Sequence, residues 1–165
     1  MSHPEYVYLH SIVGRPFDEV RSLLRDRSIS LLEAPRDLPM SWLHEGTGEL
    51  AVDLAGIHFA TSVRMVLSDY FDVAGHLPAG RMDLRFTPTG YGPLAPELAA
   101  ELEIQAVEER STLITLLGDY RPPYGAVGTV ADRLLMHRVA EAGLRRFFAS
   151  LLKELRSVPA TTSTV

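Results

Sequence analysis

The chain has 165 residues, of which 46% are hydrophobic and 22% charged, which predicts one folded domain over residues 1–156 and a disordered tail over 157–165. A net charge of −5 and the absence of cysteine argue against nucleic-acid binding and exclude disulfides and thiolate metal sites. Because the chain shows neither a membrane-spanning apolar run nor a signal-peptide pattern, we expect a cytoplasmic protein.

The first elements are a strand and a helical corner. Residues 5–13 (EYVYLHSIV) are rich in β-branched and aromatic residues and end at Gly14, which predicts a strand. Pro16 then suits a helix start, and apolar residues recur at helical spacing from Phe17 to Leu24. A second short helix is predicted over Ser28 to Glu33, before the prolines of APRDLP break the pattern.

From about Glu49 to Arg121 the apolar period changes to two, which is typical of strands. In RMDLRFT (81–87) apolar and polar residues alternate strictly, which predicts one buried face and one solvent-exposed face. This pattern predicts an antiparallel sheet of six or seven strands with one covered face. Turns are expected at LPAG (77–80), at PTGYGPLAP (88–96), which we predict to be a mobile loop, and at EER (108–110), which is short enough for a hairpin.

The last element is a long helix over roughly residues 127–156, with one apolar face. That face comprises Val130, Leu134, His137, Leu144, Phe148, Leu151, Leu152 and Leu155. The prolines and glycines of RPPYGAVG (121–128) suit a sharp turn from the last strand onto this helix. The helix is the one element long enough to cover the sheet, so the fold class is α+β.

This order of elements, together with GDYRPPYGAVGTVADRLLMHRVAE (118–141), resembles the START-like, helix-grip superfamily of the SRPBCC type, in particular a bacterial polyketide cyclase/dehydrase-like branch. The resemblance covers most of residues 5–156. It implies a curved sheet wrapped around the long helix, with an apolar cavity between them for lipid-, polyketide- or aromatic-like molecules. Because carriers and enzymes share this fold, the fold leaves the function open.

His137 and Glu141 form the most chemically suggestive pair. Their i, i+4 spacing places them on one face of the last helix, where they could act as a catalytic acid/base pair on a carbonyl substrate. The alternative is structural: His137 braces the RPPYG corner, and Glu141 is tied to His137, Arg138 or Arg145. We favour the structural interpretation.

A second group of residues could line the cavity. Tyrosines would give it polar groups on an apolar wall, and methionines would make it adaptable. The predicted ligand-binding residues are Tyr8, Met65, Met82, Phe86, Ile114, Tyr120 and Leu134. The alternative is that they are ordinary core residues. The inward face of the first strand stays open, because Val7 and Leu9 compete with Tyr6 and Tyr8.

Three functions remain. The first is binding of a hydrophobic small molecule; the second is a polyketide cyclase or dehydrase that uses His137 and Glu141; the third is protein interaction through the basic face of the last helix. The six histidines lack HExxH or any close pair at helical spacing, so we expect no metal and no cofactor. The expected partner is a hydrophobic small molecule, and a homodimer is left open.

Overall fold

The computed structural model describes residues 5–27, 45–54, 57–68, 70–89, 97–121 and 130–159. Within these ranges the chain forms seven strands and two helices. In chain order they are β1 (Glu5–Val13), α1 (Phe17–Arg27), β2 (Glu45–Leu54), β3 (Ile57–Leu67), β4 (Phe71–Val73), β5 (Ala79–Pro88), β6 (Glu97–Glu108), β7 (Ser111–Arg121) and α2 (Val130–Ser157).

β1 and α1 form where the sequence predicts them, and the structure decides which face of β1 is buried. Val7, Leu9 and Val13 point inward, whereas Tyr8 is 60% exposed on the outer face. Tyr8 therefore lies on the opposite face of the sheet from the predicted cavity, and it lines one of the outer grooves instead. Both alternating sets of this strand are apolar, so periodicity could not decide between them. The second short helix, predicted over 28–33, lies outside the described residues.

The strands form one antiparallel sheet in the order β1-β7-β6-β5-β3-β2, and β4 pairs with β5 beyond the end of β3. The predicted antiparallel sheet of six or seven strands is confirmed. Glu109 and Arg110 form the predicted hairpin turn between β6 and β7. The turn predicted at 77–80 is partly wrong, because Ala79 and Gly80 already belong to β5 and the bend lies at 75–77. Most of the predicted mobile loop, residues 90–96, lies outside the described part of the chain.

α2 covers the concave side of the sheet, as predicted, and contacts β1, β2 and β7. Leu144, Leu151 and Leu155 of its apolar face are almost fully buried. The side chains of Val130 and Leu134 lie outside the description. Val158 packs against the core just beyond the helix, so the ordered chain continues into the start of the predicted tail. Neither helix in the described part of the chain is long and apolar enough to cross a membrane.

A glycine in β7 lets α2 approach the sheet. A Cβ atom at Gly118 would collide with Cδ1 of Leu144, so the leucine occupies the space of the missing side chain. Gly118 pairs with Val7 on one side and with Ala100 on the other. A side chain at position 118 would push α2 away from the sheet, so the glycine is needed where the helix crosses β7.

Candidate ligand-binding site

The register of the sheet lines up four buried side chains on the concave side. Met65 pairs with Phe86, Phe86 with Leu98, and Leu98 with Tyr120. We call Met65, Phe86, Leu98 and Tyr120 the apolar row. Their exposed fractions are 3–6%. Three of them were predicted to bind a ligand, and the sheet brings these three together although they come from three different strands.

His137 meets the apolar row at its β7 end. The imidazole and phenol rings of His137 and Tyr120 lie with their centroids 5.5 Å apart and are tilted by 43°. Nδ1 of His137 is buried, although the whole side chain is only half-buried. Tyr120 precedes the RPPYG sequence at the end of β7. The contact of His137 with Tyr120 therefore joins α2 to the end of β7. This contact places two polar side chains at one edge of an apolar surface.

The structure pairs Glu141 with Arg145, whereas a catalytic acid/base pair would need it to contact His137. Oε1 of Glu141 accepts hydrogen bonds from Nε and Nη2 of Arg145, at 3.0 and 2.8 Å. The Glu141 side chain is about one-third exposed, and that of Arg145 is largely exposed. An i, i+4 ion pair therefore holds the carboxylate on the solvent side of α2. Arg145 is one of the three partners that the structural interpretation of Glu141 predicts.

Two further residues belong to this surface and were not among the predicted site residues. Leu98 stands between Phe86 and Tyr120 in the apolar row. Phe147 of α2 packs edge-on against Phe86, with ring centroids 5.4 Å apart. The alternation of β6 already indicated that Leu98 is buried. Phe147 gave no such signal, because it lies at the margin of the helix's apolar face.

Met82 and Ile114 are buried on the same side but nearer α1. Gly118, with Leu144 against it, lies between Ile114 and Tyr120 on β7. Tyr120 follows Ile114 by six positions, roughly 20 Å along a strand, so the two side chains lie at different ends of the concave side. Met82 is as buried as Leu98, and Ile114 is fully buried, so their position along the strands, and not their burial, separates both from the apolar row. The side chain of Leu134 lies outside the description.

The concave side carries one more polar group, at the α1 end. The hydroxyl of Tyr70 is buried and occupies the space that a side chain at position 80 would need. The Arg25 guanidinium lies over the Tyr70 ring, 5.2 Å from its centroid. Burial, and next the charge of Asp72, raises the pKa of Tyr70 to about 12. The phenol at this end is therefore neutral at physiological pH.

The outer face of the sheet carries two shallow grooves, of about 590 and 260 Å³. Exposed strand residues such as Tyr6, Arg85 and Leu117 line the larger one. Both grooves lie across the sheet from α2 and are rimmed by charged side chains, unlike the apolar row. Among the described residues, no three His, Asp or Glu side chains lie close enough together to hold a metal ion.

No family model and no curated protein sequence matches the chain, but solved structures do. A conserved protein from Geobacillus kaustophilus is 15% identical with a TM-score of 0.54, over 92% of this chain and 95% of that one. Ara h 8.0201 is 10% identical with a TM-score of 0.51, over 94% and 100%. Norcoclaurine synthase from Thalictrum flavum, solved with dopamine and hydroxybenzaldehyde, is 9% identical with a TM-score of 0.52, over 96% and 90%.

These likenesses span nearly the whole of each chain. Together with a curved antiparallel sheet that grips a long C-terminal helix, they define the class: the protein has the helix-grip fold. The fold that the resemblance to the START-like superfamily implies is thereby confirmed. Identities of 9–15% carry no residue role from those proteins to this one.

Proposed function

We propose that the chain binds a hydrophobic small molecule, lipid-, polyketide- or aromatic-like, between the sheet and α2. The observation that carries this proposal is the apolar row with the rings of Tyr120 and His137 in contact at its end. Small-molecule sites are mostly apolar surfaces with a few convergent polar groups. A ligand that enters between the sheet and α2 would contact the apolar side chains of the row, and the two polar side chains can orient a ligand that carries one hydrogen-bonding group.

The packing of α2 favours one end of the concave side over the other. Near α1, Ile104, Ile114 and Leu155 are fully buried, so their contacts are made within the protein. At the His137 end, the half-buried His137 and Phe147 leave part of the helix surface accessible. The norcoclaurine synthase of the same fold was solved with two aromatic molecules, which supports an aromatic or similarly apolar ligand by analogy.

Binding of a neutral fluorescent probe, N-phenyl-1-naphthylamine, tests this proposal. We expect saturable binding and a rise in melting temperature that grows with the logarithm of the free probe concentration above Kd. Phe147→Ala should weaken binding roughly 3–10-fold, because it removes an aromatic contact beside Phe86. The matched control is Leu117→Ala, which shortens an exposed apolar side chain on the outer face of the sheet.

The control should bind the probe with wild-type affinity. If the wild-type protein shows neither saturable binding nor a thermal shift, the proposed function is wrong. If Leu117→Ala weakens binding more than Phe147→Ala, the probe sits in the outer groove and the proposed location is wrong.

A polyketide cyclase or dehydrase is the second candidate, and the contact between His137 and Tyr120 is the observation that favours it. An imidazole beside a phenol can exchange protons with a bound carbonyl compound. The ion pair of Glu141 with Arg145 weakens this candidate, because Arg145 competes for the carboxylate that would orient His137. We therefore rank the carrier first.

His137→Asn separates the two candidates. For a carrier in which His137 braces Tyr120, we expect the free energy of unfolding to fall by about 1–3 kcal/mol with probe affinity changed less than about threefold. For an enzyme, turnover of a polyketide-like substrate should exist in the wild type and fall by roughly 10²–10⁴. Urea unfolding and product analysis on both proteins distinguish these outcomes, and unchanged stability with lost turnover would contradict the carrier.

A further inference from the structure

β1 ends the sheet without the features that usually protect an edge strand. Among the strands that the structure describes, it pairs only with β7. Natural edge strands discourage further pairing with lysines, prolines, bulges or very short length. β1 has nine residues, no proline and no lysine or arginine, and its one carboxylate is at the terminal Glu5. An edge of this kind can accept another strand.

The outer face of β1 is also unusually apolar for a solvent-exposed surface. Tyr6, Tyr8 and Ile12 are 63%, 60% and 56% exposed. The rings of Tyr8 and His10 lie 5.4 Å apart and form an aromatic pair on this face. α2 touches the strand from the inner side, where Nη2 of Arg156 donates to Oγ of Ser11 at 3.2 Å. The helix therefore leaves the outer side chains uncovered.

We propose that β1 pairs with β1 of a second copy of the chain, antiparallel, around a two-fold axis at Leu9. A two-fold axis makes the contact self-complementary and closes the dimer. Leu9 is the middle of the nine-residue strand, so this register alone pairs every residue of both strands. The two sheets then form one continuous sheet across the dimer.

The side chains that meet in this register are complementary. Tyr8 faces His10 of the second copy, and Tyr6 faces Ile12; aromatic and β-branched residues make favourable cross-strand pairs. By symmetry each pair occurs twice, so the two Tyr8–His10 ring pairs become one cluster of four rings. Glu5 is paired with Val13 in this register, so no two like-charged residues are paired with each other.

The neighbouring registers are poorer. Moving the axis to Tyr8 or to His10 leaves two residues of each strand unpaired. With the axis at His10, the two imidazoles face each other and Tyr8 faces Ile12, so the aromatic Tyr8–His10 pairs across the axis are lost. The sequence of the strand thus selects the register centred on Leu9.

Sedimentation equilibrium of the full chain tests the dimer. We expect a reversible monomer–dimer equilibrium in the wild type. Tyr8→Lys should weaken it about tenfold or more, because each new ammonium faces His10 across the axis and an aromatic pair is lost twice. The double variant Tyr8→Lys with His10→Glu should recover most of that loss, because each lysine then faces a glutamate. The matched control is Val66→Lys, a charge on the outer face of β3 away from the edge, which should leave dimerisation unchanged.

Recovery in the double variant is specific to this register, since moving the axis to Tyr8 would set lysine against lysine. A wild-type chain that remains monomeric at several hundred micromolar would overturn the proposal. So would a dimer that Tyr8→Lys leaves intact, one that Val66→Lys dissociates equally, or one that the second substitution fails to restore. Thermal melts check that each variant is folded. Because Tyr8 lies across the sheet from the apolar row, these results are independent of the ligand site.

Discussion

The absence of a side chain at Gly80 makes room for the buried hydroxyl of Tyr70 on the concave side of the sheet. Within the described residues, this hydroxyl has no hydrogen-bond partner. A buried phenol in this position stays protonated more strongly than one in water. The fold therefore stabilises the neutral form of Tyr70.

The raised pKa of Tyr70 predicts how stability depends on alkaline pH. The phenol titrates near 10 in the unfolded chain and at about 12 in the folded one. Its contribution to stability is complete below pH 10 and is lost as the pH rises from about 10 to 12, because the unfolded state ionises first. Tyr70→Phe should therefore lose less unfolding free energy over this range than the wild type. Urea unfolding at pH 8, 10 and 11 checks this, and equal losses in the two proteins would contradict it.

At the scale of elements, Arg15 joins three parts of the fold. Its guanidinium donates to the backbone carbonyls of Arg156 and Val158 at the end of α2, and it pairs with Glu19 of α1. Its own carbonyl accepts a hydrogen bond from Oγ1 of Thr112 in β7, at 2.8 Å. A cation is favourable at a helix C-terminus, where carbonyls lack helical partners. Arg15 thereby connects the start of α1, the end of α2 and β7.

The elements differ in how far the sequence predicts them. β1, α1 and α2 have clear periodicity or clear punctuation, and the predicted bounds agree with the structure to within a few residues. β4 is different: all three of its residues are exposed, so it carries no alternation and was not separately predicted. The sequence predicts a turn that includes Gly80, whereas Gly80 lies in β5 and leaves the space of its missing side chain to Tyr70.

At the scale of the whole molecule, the candidate site depends on strand register. Met65, Phe86, Leu98 and Tyr120 come from four strands, and the alternation within each strand shows only which side they face. Which of them meet is decided by the pairing of β3, β5, β6 and β7. The same limitation explains why Ile114 was grouped with Tyr120, although Ile114 lies toward the other end of β7.

The central claim, that a ligand binds along the apolar row, is tested most directly by methyl NMR of the methionines. The chain has five methionines, and single Met→Leu variants assign their signals. Met65 lies in the row, whereas Met82 lies four residues from Phe86 on β5, roughly 13 Å along the strand. On titration with N-phenyl-1-naphthylamine, we predict that the Met65 methyl shifts and saturates with the fluorescence binding curve, and that Met82 shifts much less. A bound probe that leaves Met65 unmoved, or that shifts Met82 more, would contradict the account.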